Sequence, residues 1–356
     1  MINWLSVLTV KRASSPRICQ FSASLGQGAD ALPGVAGLAV GSSSSEKKLP
    51  FAPVRARLWG LMQVSENYYG LIEDVCRDLY IRSLKDIPPD VVEAMRRAAQ
   101  RETKEVAKRV FAHCLTSIEL GRDKDMIVCQ DTGIPIYWVE IGSGLQMDGA
   151  RLTDAIVRGT ERATREHPFR SSIVSPLTRE NRQTSTGHRI PIIHYDFVAD
   201  SDVLDILFMP KGSGSENMSF VKMLLPADGV NGIKRFVLEQ VVAAGAKPCP
   251  PTVVGVGIGG TSDLCMMLAK KATTRPLGRT NPDPALAALE AELLEAINQT
   301  GIGPQGLGGD CTALAVHIES AWTHITCNPV AVSLQCWRAE RRRAKVWPDG
   351  RVETGF

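Results

Sequence analysis

Cys249-Pro250-Pro251-Thr252-Val253-Val254-Gly255-Val256-Gly257-Ile258-Gly259-Gly260 is an apolar, β-branched run that starts on prolines, ends on glycines and leads into helix-forming residues. A short run of this kind, bounded by breakers, reads as a buried strand. A strand that hands over to a helix is the unit of mixed α/β folds. The alternation continues outward on both sides. Upstream, the pattern predicts a helix at Gly229–Ala244, β-rich runs at 190–198 and 203–209, a helix at about 150–166, and strand-like runs at 127–130 and 134–141. Pro88-Pro89-Asp90 opens what reads as one long helix to about Leu120, with Val92, Met95, Val106 and Val110 near one face. Downstream come helices at 263–272 and Pro284–Asn298, then strands at 312–318 and 330–335. Hairpin-like and crossover-like spacings both occur and no internal repeat is visible. The expected class is therefore mixed α/β, with helices interspersed among mixed sheets.

At 356 residues the chain exceeds the usual size of one hydrophobic core, which points to one large domain or two lobes. A hydrophobic fraction of 44%, a charged fraction of 22% and a net charge of +3 give no reason to expect nucleic acid or an anionic membrane as partner. The longest apolar candidate, 252–258, is broken by glycine and falls far short of the about 18 residues a membrane span needs. The nine cysteines are odd in number and form no CxxC pair, so neither a disulfide framework nor a zinc finger is indicated. Either most are buried small hydrophobes or a few distant ones converge on a metal. Residues 1–61 are rich in Ser, Ala and Gly, with serine throughout 42–45 and no acid before Asp30. They lack the periodicity to bury themselves. They read equally as an organelle transit peptide or as an upstream stretch translated from a start codon set too early, with Met62 a natural beginning.

Four segments look like site loops. Cys129-Gln130-Asp131-Thr132-Gly133 presents a thiol, an amide and a carboxylate at a turn between apolar runs, although a buried Cys before an Asx-turn would read the same way. Lys211-Gly212-Ser213-Gly214-Ser215-Glu216-Asn217 offers backbone N–H groups and a cation to a carboxylate or phosphate; its lysine precedes the glycines, so it is not a Walker A loop. In the third, Gly255, Gly257 and Gly260 satisfy GxGxxG, but the downstream region is the proline-punctuated Arg275-Pro276-Leu277-Gly278-Arg279-Thr280-Asn281-Pro282, with no acid to hold a ribose. A nicotinamide-dependent oxidoreductase is thus a distant alternative. The fourth comprises Gly301-Ile302-Gly303-Pro304-Gln305-Gly306-Leu307-Gly308-Gly309 and, farther on, a strand ending at Cys336. Cysteines at the ends of three apolar segments are the shared feature.

Taken together, CQDTG, KGSGSENMS, CPPTVVGVGIGGT, RPLG to NPDP, GIGPQGLGG and PVAVSLQCW, in this order over about 62–343, resemble the α subunit of the two-subunit class I fumarases and L-tartrate dehydratases. The resemblance implies the family's N-terminal-domain fold and a 4Fe-4S cluster held by Cys129, Cys249 and Cys336, with Cys327 the rival to the last. Cys19, Cys76, Cys114, Cys265 and Cys311 have no matching role. By the same transfer, Gln130 and Asp131 contact the hydroxyl side of a small dicarboxylate, Arg170 clamps a carboxylate, and Lys211, Gly212 and Gly214 line the substrate. His324 matches a histidine that reaches a neighbouring protomer's site, and with Gln130 and Asp131 it completes the catalytic set. The implied activity is reversible hydration of fumarate to malate, with L-tartrate or a related hydroxy-diacid as the alternative. KGSGSENMS looks like the fumarase version of its loop.

Single-chain relatives continue into a second domain that supplies the proposed base, so the resemblance also implies a separate β subunit and an α2β2 assembly. The expected layout is an extension at 1–61, a catalytic domain at 62–345 and a tail at 346–356, in a cytoplasmic protein unless 1–61 is a transit peptide. One departure is His188, where the family commonly carries Asn.

Overall fold

A computed structural model describes residues 62–356, so the expected extension at 1–61 lies outside the described residues. The first half comprises β1 (Met62–Gln63), α1 (Glu66–Lys85), α2 (Pro89–Arg101), α3 (Glu105–Asp123), β2 (Ile134–Gly142), β3 (Leu145–Gln146), α4 (Gly149–Glu166), β4 (Ile192–Val198) and β5 (Leu204–Lys211). The second comprises α5 (Ser213–Glu216), β6 (Ser219–Leu224), α6 (Gly229–Ala244), β7 (Thr252–Ile258), α7 (Ser262–Ala272), α8 (Pro284–Asn298), β8 (Ala313–Ser320), β9 (Asn328–Gln335), β10 (Arg342–Val346) and β11 (Val352–Gly355).

Local chemistry explains the best-defined elements. In α8 the Asp283 carboxylate accepts from Ala285 N at 2.8 Å and Leu286 N at 3.3 Å, Pro284 occupies the first turn, and Leu289, Leu293 and Ile297 bury one face at a spacing of four. Asp148 caps α4 in the same way. Two mixed sheets carry the rest. The five-stranded sheet runs β11-β10-β5-β2-β4, with β2 and β4 parallel; the four-stranded sheet runs β6-β9-β7-β8, with β7 and β8 parallel. Helices α1 and α4 cover one sheet through Ile72, Leu79, Ile156, Ile206 and Phe208. Helices α6 and α8 cover the other through Phe236, Val254, Leu293, Val316 and Val332. Each such buried side chain contributes about 1.5–3 kcal/mol.

The glycines of the GxGxxG run have a packing role. A Cβ at Gly255 would fall 2.0 Å from the Ala269 carbonyl oxygen, and one at Gly257 would fall 1.9 Å from that of Cys265. Helix α7 therefore lies directly on β7, which accounts for both glycines without a nucleotide.

Three expectations need correction. The long helix at 88–120 is two helices, because the buried Glu102 carboxylate turns back to accept from Thr103 N and Lys104 N at 3.0 Å and from Asp310 N at 2.9 Å. Residues 127–130 form no strand; Val128 N is taken by the Leu84 carbonyl at the end of α1, at 3.1 Å. Residues 346–356, expected as a tail, contribute β11, which pairs with β10 at the edge of the five-stranded sheet. Strand β6 was not legible either, since Val221 and Met223 stay exposed beside Lys222.

Candidate active site

Strand register gathers the loops in pairs. On the five-stranded sheet Ile134 pairs with Lys211, which lays residues 129–133 beside the glycine-serine loop. Gly133 allows this approach: it has φ 73°, and a Cβ there would fall 2.6 Å from the Pro210 carbonyl carbon. On the four-stranded sheet Val253 pairs with Gln335, which lays Cys249 beside Cys336. Trp337 N closes that pair by donating to the Cys249 carbonyl at 3.1 Å. Two bonds join the pairs across the sheets. Arg338 Nη2 donates to the Asp131 carbonyl at 3.1 Å, and Ser215 Oγ donates to Gln335 Oε1 at 3.5 Å.

The three cysteines differ in setting. Cys129 is half-buried and its Sγ lies 3.6 Å from Gln130 Oε1, while Gln130 itself is exposed. Cys249 is exposed and holds the left-handed φ of 55°, a strained conformation for a residue with a side chain. Partial desolvation of its sulfur by the surrounding loops, though the residue as a whole is exposed, raises its pKa, and the neighbouring Cys129 adds to the push. Cys336 is buried; burial and then Glu340 push its thiol up to about 12, with Cys249 again contributing. The thiols are thus close enough to feel one another, and a metal binding them would displace protons. Among the described residues no three His, Cys, Asp or Glu side chains converge as they would on a single ion. A cube in which each thiolate binds a different iron requires a wider arrangement.

Asp131 ties loops together. Its Oδ1 accepts from Gly133 N at 3.1 Å, as an Asx-turn does, and its Oδ2 accepts from Ser213 N at 2.8 Å and Ser213 Oγ at 3.1 Å. A Cβ at Gly212 would come within 3.2 Å of that carboxylate, and one at Gly214 within 3.0 Å of the Lys247 carbonyl oxygen. Lys211 is fully buried, and its Nζ donates to Ser215 Oγ at 2.7 Å with Glu216 at 3.6 Å. Burial lowers its pKa to about 8 against the pull of Glu216. Arg170 is exposed, and its backbone is anchored to the same loop because Thr132 Oγ1 donates to its carbonyl at 2.5 Å.

His324 stands apart. It sits in the exposed loop between β8 and β9, bonded through Nδ1 to Thr326 Oγ1 at 2.8 Å. The eight residues of β9, at about 3.4 Å each, put roughly 25 Å between that loop and Cys336. Within one chain the structure brings together Cys129, Gln130, Asp131, Arg170, the 211–215 loop, Cys249 and Cys336, but not His324. Sequence reasoning placed Ser215 in a site loop without its bond to Lys211, and missed Gln335, Arg338 and Glu340. A charged pair immediately after an apolar strand was the available signal for the last two.

A family model described as Fumarate hydratase (Fumerase) matches residues 73–346. A relative from Methanocaldococcus jannaschii, assigned as an L(+)-tartrate dehydratase subunit alpha, is 44% identical over 276 residues, spanning 77% of this chain and 96% of the relative. The L(+)-tartrate dehydratase subunit alpha of Escherichia coli strain K12 is 34% identical over 263 residues, spanning 74% of this chain and 86% of the relative. A match over most of the chain, running through every loop that forms the cysteine-lined junction, means that the chain belongs to the fumarate hydratase (Fumerase) family of hydro-lyases.

Proposed function

We propose that this chain is the cluster-bearing α subunit of a two-subunit hydro-lyase that hydrates fumarate reversibly to malate. The observation that supports it most is the junction itself. Three thiols on three separate segments, with no histidine among them, adjoin a buried guanidinium and the glycine-serine loop that the Asp131 carboxylate holds. Soft thiolate donors beside a buried cation suit an iron–sulfur centre, and the donor set fits a 4Fe-4S cluster held by Cys129, Cys249 and Cys336. When bound, such a cluster supplies an iron with open positions, a Lewis acid toward the substrate's hydroxyl and carboxylate.

The chain's own residues orient the diacid. Gln130 and Asp131 face its hydroxyl side, and the Arg170 fork grips the far carboxylate bidentately. Gly212 and Gly214 let the loop backbone approach. Lys211, its amine spent on Ser215, supports that loop from beneath. In dehydration a base removes the proton from the carbon next to the carboxylate while the hydroxyl leaves the neighbouring carbon, giving fumarate and water. The base belongs to a separate β subunit in an α2β2 assembly, in which His324 serves a neighbouring protomer's site. No helix among the described residues is long and apolar enough to cross a membrane, and an iron–sulfur centre suits a reducing, cytoplasmic setting.

The second reading is L(+)-tartrate dehydration, supported by the names of both relatives. Anaerobic co-expression with the β chain, iron and sulfide analysis, and kcat/KM for fumarate, malate and L(+)-tartrate test both. A brown complex that loses colour and turnover in each of Cys129→Ala, Cys249→Ala and Cys336→Ala is the expected result. A centre that survives loss of Cys336 but not of Cys327 would overturn the ligand assignment. A tenfold preference for L(+)-tartrate would replace the substrate.

A further inference from the structure

The turn after β9 carries more than a cysteine. Arg338 is 3% exposed and Glu340 1% exposed. Burying an ion pair stabilises a fold only if the remaining valences are well used, so the purpose lies in what else the two side chains touch. One guanidinium nitrogen of Arg338 pairs with Glu340. Its Nη2 donates to the Asp131 carbonyl at 3.1 Å, two residues beyond Cys129. The Glu340 carboxylate lies 3.8 Å from the Cys336 Sγ. In the same turn Ala339 N closes onto the Cys336 carbonyl at 3.0 Å, and Trp337 N holds the Cys249 carbonyl. Residues 336–340 therefore touch all three cysteine-bearing segments, and the Arg338 side chain carries the link from one sheet's loops to the other's.

Resting on the reading of a three-thiolate centre, we infer that Arg338 is the positioning residue of that centre: it braces the Cys129 loop against the Cys249–Cys336 pair and fixes a positive charge beside the thiolates. A planar fork reaches two partners in different directions; an ammonium on a flexible stem does not reproduce this. Arg341 is an internal control. It is 1% exposed in the same connection, but its guanidinium donates to Asp90 on α2 at 2.6 Å and, among the described residues, makes no hydrogen bond to a cysteine-bearing loop.

The test compares the wild-type complex with Arg338→Gln, Arg338→Lys and Arg341→Lys. Measured are iron and sulfide per chain, the rate at which the absorption bleaches in air, and, after chelation of the metal, amide exchange at Gly133 and Ser213, whose N–H groups both donate to Asp131. Losing a partner behind a metal ligand typically weakens metal binding about 10–100-fold. Arg338→Gln is therefore expected to bleach at least tenfold faster and to exchange those amides faster, with Arg338→Lys between it and wild type. Arg341→Lys is expected to lower the melting temperature while leaving iron per folded chain unchanged. Wild-type bleaching and exchange in Arg338→Gln would overturn the inference. A wild type without iron would overturn the proposed centre instead, and the exchange rates would still decide whether Arg338 braces the loop.

Discussion

Two buried arginine–glutamate pairs lie near opposite ends of the parallel β7–β8 pairing, and they serve different ends. In the first, Arg275 pairs with Glu290, whose Oε1 also accepts from Asn281 Nδ2 at 2.8 Å and from Ile318 N at 2.7 Å. Each of those partners is fold: the 275–283 connection, helix α8 and strand β8. In the second, Arg338 pairs with Glu340, and their other partners are the Asp131 carbonyl and the Cys336 thiol. The ionic chemistry is the same, so burial does not tell a structural pair from a functional one. The third partner does. The RPLG to NPDP motif, which resemblance alone cannot separate from the substrate-binding motifs, is accounted for by the first pair as a staple between α7 and α8.

The largest expected effect comes from breaking the structural pair. Glu290→Ala leaves Arg275 charged with only Glu319 at 3.9 Å, leaves Ile318 N without its acceptor, and takes one of the two acceptors of Asn281 Nδ2, the Ile318 carbonyl remaining; removal of one partner of such a pair costs about 3–5 kcal/mol. Thermal unfolding should show a large fall in melting temperature, with iron per folded chain preserved. If iron falls while the melting point holds, the first pair belongs to the site and the contrast collapses. Glu340→Gln is the milder counterpart. It keeps the volume and one acceptor for Arg338 but removes the anion that anchors the Arg338 guanidinium. Here the expected loss is in retention of the metal centre, about tenfold in bleaching rate, with a smaller change in melting point. An equal loss of melting point and no change in bleaching would make both pairs structural.

The sequence discloses what is encoded locally and hides what is set by distant partners. Asp283-Pro284 and Asp148 announce α8 and α4 because caps and first-turn residues act within three positions. The run at 252–258 announces β7 because it is short, β-branched and bounded by prolines and glycines, too short for a buried helix. The helix break at Glu102 depends on Asp310, far along the chain, and the pattern of apolar residues runs straight through it. In β6 Val221, Lys222 and Met223 are all exposed, and in β10 exposed Arg343 and Lys345 alternate with buried Ala344 and Val346, so their short runs mix charged and apolar residues and resemble loops. At the site, motifs locate the three cysteines and Asp131. Their convergence rests on the Ile134–Lys211 and Val253–Gln335 pairings, which no local pattern states. Arg338 escaped notice for the same reason: charged residues after an apolar strand read as the start of the surface, and only the fold supplies its partners.

The smallest expected effect is a pH dependence confined to the structural pair. His317 on β8 is buried near Arg275 and Glu290, with its Nδ1 3.1 Å from the Ala272 carbonyl oxygen. Burial, and next the Arg275 charge, lower its pKa from 6.5 to about 4, against the pull of Glu290. The folded chain thus keeps the ring neutral where the unfolded chain protonates it. The unfolded state binds more protons between pH 6.5 and about 4, so stability rises with pH through this window and is lost as pH falls through it. Each pH unit is worth about 1.4 kcal/mol at most, so the penalty is about 1 kcal/mol near pH 5.5 and about 3 kcal/mol once pH passes below 4. His317→Gln, which cannot titrate, should flatten the melting-temperature profile over this window and leave iron retention at neutral pH unchanged. A variant whose profile stays as steep as the wild type's would place the acid sensitivity elsewhere. One that also loses iron at neutral pH would mean that the two pairs communicate through β7 and β8, and that the division between fold and site is less sharp than their partners suggest.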